Sequence, residues 1–167
     1  MQPVAGYEDY SCARDLFEAA RDAAREAERT RRALAEMEVR EGVRAQSYEP
    51  HGRSGHRTDA MAAVDERLDY EERMRRRVSE DYALVDLACN VIYGSGDQRS
   101  GGIGALLGSA YADALWWRYC AGATWANVAR GCRMSERWCR RAVETALETI
   151  DAYGMRRVAE GRGTAEW

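Results

Sequence analysis

The sequence predicts an all-α protein in which long N-terminal helices are followed by a C-terminal helix-turn-helix domain. Alanine, arginine and glutamate dominate the composition, and these residues favour helices. Valine, isoleucine and threonine are comparatively scarce, which disfavours a β-sandwich or a β-barrel. Apolar residues also recur every three or four positions along extended stretches, as they do on one face of a helix. The 167 residues correspond to about one domain.

The composition sets several classes of protein aside. No apolar run is long enough to span a bilayer, and the N-terminus has neither the basic nor the apolar region of a signal peptide. We therefore expect a cytoplasmic protein without a membrane partner. None of the five cysteines forms a CxxC pair, so we expect small hydrophobic side chains in a reducing compartment rather than disulfides or a zinc site. They are Cys12, Cys89, Cys120, Cys132 and Cys139.

Residues 1–46 are predicted to form an N-terminal helical arm. From Ala13 to about Arg44 the chain contains no proline, and arginines and acids are interspersed as on a solvated helix face. Positions spaced alternately by four and three residues form a seam of the kind that packs on another helix. These positions are Leu16, Ala20, Ala23, Ala27, Thr30, Leu34 and Met37. Two interpretations stay open, an ordinary packing helix and an arm through which two copies of the chain form a homodimer.

A second long helix is predicted over residues 59–93. Its apolar residues keep the spacing of three and four, and Glu71 and Arg75 interrupt the stripe near the middle. The stripe consists of Met61, Val64, Leu68, Val78, Tyr82, Val85, Cys89 and Ile92. We expect the first half of this helix to pair loosely and the second half to enter a core.

Two glycine-containing segments, residues 47–58 and residues 94–104, are predicted to be a loop and a linker. The loop contains both histidines, His51 and His56, but it offers too few further ligands for a metal site. The linker holds five of the fifteen glycines. It fits neither common nucleotide-binding pattern, because the chain has no lysine and no strand precedes the linker. We therefore expect neither a metal nor a cofactor at these segments.

Residues 105–153 carry the pattern of a helix-turn-helix domain. A first helix is predicted over residues 105–121, and it ends at a glycine. A short helix over residues 125–130 and a longer helix over residues 136–153 are joined by a tight turn, and a hydroxyl side chain precedes each of them as a cap. We expect one side of the longer helix to be buried, namely Cys139, Ala142, Val143, Ala146, Leu147 and Ile150. Residues 154–167 are predicted to be a flexible tail.

The other side of the longer helix is basic and predicts a DNA-binding surface. From Thr124 to Arg141 there are five arginines and one acid, hence a local charge of +4 in a chain whose net charge is −3. Because arginine donates two hydrogen bonds to one guanine, Arg137, Arg140 and Arg141 are the candidates for reading bases. The candidate DNA-binding residues are Thr124, Trp125, Arg133, Ser135, Glu136, Arg137, Arg140 and Arg141.

Two stretches of this region resemble a known family of DNA-binding proteins. Residues 111–129 (YADALWWRYCAGATWANVA) and 134–148 (MSERWCRRAVETALE) are similar to the fourth region of sigma factors, and more closely to ArpU/RinA-type phage regulators of late transcription. The resemblance implies a sequence-specific regulator that binds double-stranded DNA, activates late genes and works with host RNA polymerase. Arg133 stands where the family usually has a turn glycine. Trp138 is unusual on a recognition face, and we expect it to pack against another element.

Two other functions stay open at this point. One is a DNA-packaging protein like the small terminase subunit of phages, which also combines a helix-turn-helix with oligomerising helices. The other is a helical adaptor that binds a protein through Trp116 or Trp117, which point about 100° apart on a helix. An enzyme is not expected, because no set of catalytic residue types is organised along the chain.

Overall fold

The computed structural model describes residues 5–46, 57–95 and 101–161, and over these residues it confirms the all-α prediction. Seven α-helices and no strand are present in this part of the chain: α1 (Ala13–Gln46), α2 (Arg57–Tyr93), α3 (Ile103–Leu107), α4 (Ser109–Leu115), α5 (Trp125–Cys132), α6 (Glu136–Tyr153) and α7 (Met155–Glu160). A 3-10 turn precedes α1, and a π-helical turn, Trp116–Cys120, directly follows α4. No described helix is long and apolar enough to cross a membrane. The loop histidines, His51 and His56, and the middle of the glycine-rich linker lie outside the described residues.

Packing divides the chain into two compact units. The first, which we call the core unit, combines the described residues up to 25 with those from 81 onwards. The second, which we call the hairpin unit, consists of the described residues between 26 and 80. The long helices α1 and α2 each contribute residues to both units, and all candidate DNA-binding residues belong to the core unit.

The core unit is built around α6, whose predicted buried face is confirmed. All six apolar residues of that face are at most 3% exposed, and α3, α4, α5 and α7 pack against the helix. From α1, Leu16 and Phe17 are fully buried, and the rings of Phe17 and Tyr119 have centres 5.4 Å apart. From α2, Val91 and Ile92 are fully buried, so the second half of α2 enters the core as predicted.

The single helix predicted over residues 105–121 is wrong, because the chain forms two helices and a π-helical turn there. Gly108 separates α3 from α4 with a φ of +103°, a conformation that glycine tolerates and other residues rarely adopt. In the π-helical turn the N–H of Ala121 donates to the carbonyl oxygen of Trp116, five residues earlier, at 2.9 Å. Tyr119 lies in the core at this turn and is 4% exposed.

The predicted flexible tail is also wrong for Met155–Glu160, which forms α7. Val158 and Ala159 are fully buried in the core unit. Their carbonyl oxygens accept hydrogen bonds from the N–H groups of Gly102 and Ser95, at 2.7 and 2.8 Å. A helix this short is marginal by itself, so these tertiary contacts are what hold it. Residues 162–167 of the predicted tail lie outside the described residues.

The hairpin unit pairs the second part of α1 with the first part of α2. The predicted seam of α1 is buried at Ala27 and Thr30 and half-buried at Leu34 and Met37. The first half of α2 is expected to pair only loosely, and three apolar residues of its stripe are indeed exposed: Met61, Val64 and Leu68.

Glu71, which interrupts the apolar stripe of α2, is buried in an ion-pair network. It is 5% exposed, and one of its carboxylate oxygens accepts two hydrogen bonds from the Arg67 guanidinium, at 3.0 and 3.1 Å. Arg75 lies 3.6 Å from the other oxygen. Both arginines also reach α1, where Arg67 pairs with Glu41 and Arg75 pairs with Glu38 at 3.4 Å. A buried charge of this kind is tolerated only while its partners remain.

Glu71→Gln is expected to lower the free energy of unfolding by about 1–3 kcal/mol, because the neutral amide no longer compensates two arginines in a buried site. Urea unfolding followed by far-UV circular dichroism measures the change. Glu72→Gln is the matched control, since Glu72 is exposed and pairs with Arg76 at 3.6 Å, and such pairs contribute about 0–1 kcal/mol. Equal losses in the two variants would contradict the role assigned to Glu71.

Candidate nucleic-acid interface

Hydroxyl caps define the starts of α5 and α6, as the sequence predicts. The Thr124 hydroxyl accepts a hydrogen bond from the N–H of Asn127 at 3.4 Å, and the Ser135 hydroxyl accepts one from the N–H of Trp138 at 3.1 Å. Each bond satisfies one of the N–H groups that a helix leaves without a partner in its first turn. The start of α6, which carries most of the candidate residues, is therefore locally fixed.

The turn between α5 and α6 closes with an arginine in a conformation that usually belongs to glycine. Arg133 has a φ of +55° and a ψ of +36°, in the left-handed region. The N–H of Arg133 donates to the Arg130 carbonyl oxygen at 3.3 Å, and the N–H of Met134 donates to the Ala129 carbonyl oxygen at 3.1 Å. These bonds are typical of a helix end closed by a left-handed residue. The turn therefore forms with arginine, and not glycine, at its left-handed position.

Gly131 lets the end of α5 lie directly on the indole of Trp117. A Cβ atom at this position would come 2.4 Å from the Trp117 ring, which is too close for any side chain. Trp117 and its neighbour Trp116 are both half-buried, with ring centres 5.2 Å apart in an edge contact. The indole of Trp117 thus packs against the end of α5, next to the turn.

Three candidate residues form one connected group of contacts at the edge of α6. The guanidinium carbon of Arg140 lies 4.6 Å from the centre of the Trp125 ring, and that of Arg118 lies 4.4 Å from it. Arg140 also donates a hydrogen bond to Glu136 at 2.7 Å. The sequence pattern does not identify Arg118 as a site residue. Trp125, Glu136 and Arg140 are therefore engaged with one another and with Arg118 before any ligand binds.

A second group of candidates faces outward from α6. Arg137 and Arg141 are exposed and line one cavity together with Ser135 and Trp138. The ring of Trp138 packs against Tyr111 of α4, with centres 5.5 Å apart, which confirms that this tryptophan packs on another element. Arg137 and Arg141 thus lie beside an aromatic side chain, Trp138, that is packed against α4. The remaining candidates, Thr124 and Arg133, are exposed at the two ends of α5 and join neither group.

The structure adds basic residues from α1 that no local pattern identifies. Arg25 donates a hydrogen bond to the Gly122 carbonyl oxygen at 3.5 Å, and Arg118 donates one to the Ala123 carbonyl oxygen at 3.1 Å. Burial lowers the pKa of Arg118, and the positive charges of Arg21, Arg25 and Arg140 lower it further. Four arginines from three separate segments therefore lie near the turn that precedes α5.

α1 also engages an acid on the exposed side of α6. Arg14 donates a hydrogen bond to the Glu144 carboxylate at 2.5 Å, and this bond raises the pKa of Arg14. The Asp151 carboxylate accepts a hydrogen bond from the N–H of Ala13 at the start of α1. These contacts seat the first part of α1 alongside α6.

The burial of the cysteines agrees in part with the sequence prediction. Cys139 is fully buried as a small hydrophobic residue, and the other four are half-buried. The sulfur atoms of Cys89 and Cys120 lie 3.4 Å apart, and the hydrogen bond between them lowers the pKa of Cys89. Within the described residues, no group of three or more His, Cys, Asp or Glu side chains could hold a metal ion.

Known proteins give no independent guide to this surface. No protein-family model, curated protein or solved structure matches the chain. The resemblance of residues 111–148 to sigma-factor region four and to phage late-transcription regulators therefore stays a prediction.

Arg133→Gly is expected to raise the free energy of unfolding by about 0.5–1 kcal/mol, because glycine adopts the left-handed conformation without the steric cost that arginine bears. Urea unfolding of the full chain measures the difference. Arg130→Gly is the control, since it removes the same side chain from the exposed face of α5 and should cost about 1 kcal/mol through helix propensity. A loss of stability in both variants would show that Arg133 bears no backbone strain.

Proposed function

We propose that this chain is a sequence-specific DNA-binding regulator of transcription of the phage late-gene type, with α5 and α6 acting as its helix-turn-helix. The observation that carries the proposal is the division of α6 into two faces. Six apolar residues on one face are buried, while Arg137 and Arg141 are exposed on the other. Capped helices and a closed turn present that basic face at the surface, as the reading helix of such a motif requires.

The dimensions and chemistry of α6 suit the major groove of DNA. An α-helix with its side chains is about 10–12 Å wide, and the major groove is about 12 Å wide. Residues near the start of a recognition helix contact base edges, which is where Arg137 and Arg141 lie. Each guanidinium can donate two hydrogen bonds to the O6 and N7 atoms of one guanine. We assign base reading to these two arginines.

Three of the remaining candidates, Thr124, Arg133 and Arg140, would contact the DNA backbone. Arg133 and Thr124 are exposed at the ends of α5 and can contact phosphates without reading sequence. Arg140 is already fixed by Trp125 and Glu136, so its place is beside the groove rather than within it. This arrangement supports a division of labour in which α6 supplies specificity and the adjoining arginines supply affinity.

The resemblance to sigma-factor region four extends the proposal to a partner and a direction of regulation. The described core unit offers a single candidate DNA-reading module, and we see no sign in the sequence of the sigma regions that melt promoter DNA. The chain would therefore act in the cytoplasm as an activator beside host RNA polymerase and not as a complete initiation factor. Transcription with this protein and core polymerase alone should give no product.

Arg137→Ala combined with Arg141→Ala is expected to remove sequence preference, because each lost guanine contact costs about 1–3 kcal/mol of discrimination. A target duplex is first selected with the wild-type chain from a randomised library. Fluorescence anisotropy then compares the affinity of each variant for the selected duplex and for a scrambled duplex. We expect the ratio of the two affinities to fall by at least about tenfold.

Arg29→Ala combined with Arg76→Ala is the matched control, since both side chains are exposed in the hairpin unit and the loss of charge is the same. An unchanged affinity ratio in the Arg137 and Arg141 variant would show that the assigned face is wrong. Absence of any salt-sensitive DNA binding by the wild type would contradict the proposed function and favour the protein-binding adaptor. A large ring-shaped oligomer, seen by its mass in solution, would favour the packaging protein.

A further inference from the structure

A cluster of arginines lies at the edge of α6 that faces the turn before α5. It consists of Arg21 and Arg25 from α1, Arg118 from the π-helical turn, and Arg140 from α6, and we call it the arginine cluster. Arg25 and Arg118 both reach the turn before α5, and Arg118 and Arg140 lie on the same tryptophan ring. Arg21 lies one helical turn before Arg25 on the same side of α1, so the four residues share one neighbourhood. Its members come from three segments of the chain that only the fold brings together.

Three members of the cluster, Arg25, Arg118 and Arg140, contact uncharged partners. Arg25 and Arg118 each donate a hydrogen bond to a backbone carbonyl oxygen of the same turn, those of Gly122 and Ala123. Arg118 and Arg140 lie on the ring of Trp125, at 4.4 and 4.6 Å from its centre. Carbonyl and aromatic contacts orient guanidinium groups without neutralising them. These contacts therefore position positive charge without neutralising it.

Carboxylates compensate the cluster only in part. Glu136 pairs with Arg140 at 2.7 Å, and within the described residues no carboxylate forms an ion pair with Arg21, Arg25 or Arg118. The Nε atom of Arg21 is buried and has no hydrogen-bond partner in this part of the chain. Like charges held together with an unsatisfied donor destabilise a fold unless an anion compensates them. Such an arrangement favours the binding of an anion.

We propose that the arginine cluster binds the phosphate backbone of the DNA that α6 reads, an assignment that rests on the proposed function. Phosphate oxygens accept paired hydrogen bonds from guanidinium groups, which explains a cluster built from arginine. DNA is favoured over a small phosphorylated ligand because the cluster shares α6 with the base-reading residues. Arg140 is the residue before Arg141 on α6. If Arg141 reads a base in the groove, the DNA backbone beside that groove would therefore pass over the cluster.

This assignment gives the first part of α1 a role in DNA binding. Its contacts with Glu144 and Asp151 seat it against α6, and Arg21 and Arg25 follow about two and three turns further along. Phosphate contacts carry no sequence information, so α1 contributes affinity and orientation while Arg137 and Arg141 contribute preference. The two contributions are separable by experiment.

Arg21→Gln combined with Arg25→Gln is the test, measured by fluorescence anisotropy on the selected duplex over a series of salt concentrations. Each phosphate contact contributes about 0.9 to the slope of log affinity against log salt concentration. We expect the slope to fall by about 2 and the affinity at 0.1 M salt to fall by at least about tenfold. The ratio of affinities for selected and scrambled duplexes should not change. The thermal midpoint should stay equal or rise, since like charges are removed.

Arg29→Gln combined with Arg76→Gln is the matched control, because it removes the same charge from exposed sites of the hairpin unit. An equal loss of affinity in this control, or an unchanged slope in the Arg21 and Arg25 variant, would overturn the cluster assignment while leaving the proposed function intact.

Inorganic pyrophosphate separates the two proposals in a second way. We expect it to raise the thermal midpoint of the wild type more than that of the Arg21 and Arg25 variant. If the wild type binds no DNA and still shows this difference, the proposed function fails and the cluster is a site for a small phosphorylated ligand. If pyrophosphate stabilises both proteins equally, the cluster is not an anion site.

Discussion

Burial of one face of α6 is the constraint on which the core unit depends. Six side chains of this helix are almost completely removed from water, and four shorter helices pack against it. Burying a large aliphatic side chain contributes about 1.5–3 kcal/mol, so Val143, Leu147 and Ile150 together outweigh any single exposed ion pair of the unit. Because successive residues of a helix are about 100° apart, this burial also determines where the opposite face points. Arg137 and Arg141 are directed to solvent by the same packing that stabilises the unit.

Aromatic side chains hold the two edges of that exposed face. On one edge Trp138 packs against Tyr111 of α4. On the other edge the guanidinium groups of Arg118 and Arg140 lie against the ring of Trp125. Tryptophan and tyrosine offer large contact areas with few rotatable bonds, so they orient their neighbours at a low cost in conformational entropy. The cation–π contacts add orientation without neutralising charge. α6 is therefore held on both sides, and the proposed reading of base edges requires such rigidity.

The features that the sequence predicts correctly are those that depend on a few neighbouring residues. Thr124 and Ser135 act as caps because hydroxyl side chains favour those positions, and the buried face of α6 follows from helical periodicity alone. The π-helical turn and α7 are accompanied by tertiary contacts of Tyr119, Val158 and Ala159, which no local pattern predicts. The sequence does not reveal the break at Gly108, because a glycine that ends a helix looks the same in sequence as one tolerated within it. The approach of Arg21 and Arg25 to the turn before α5 joins distant parts of the chain, so no local pattern reveals it.

The pairing of charges, rather than their sum, distinguishes the two units. In the hairpin unit Glu28 pairs with both Arg31 and Arg32, and the buried Glu71 pairs with two further arginines. Within the described residues, the arginine cluster of the core unit has one ion pair, which joins Arg140 to Glu136. A net charge of −3 therefore does not argue against a polyanionic partner. Several acids of the hairpin unit pair with arginines of the same unit, whereas the arginines beside α6 are only partly compensated. The local potential is what a phosphate backbone encounters.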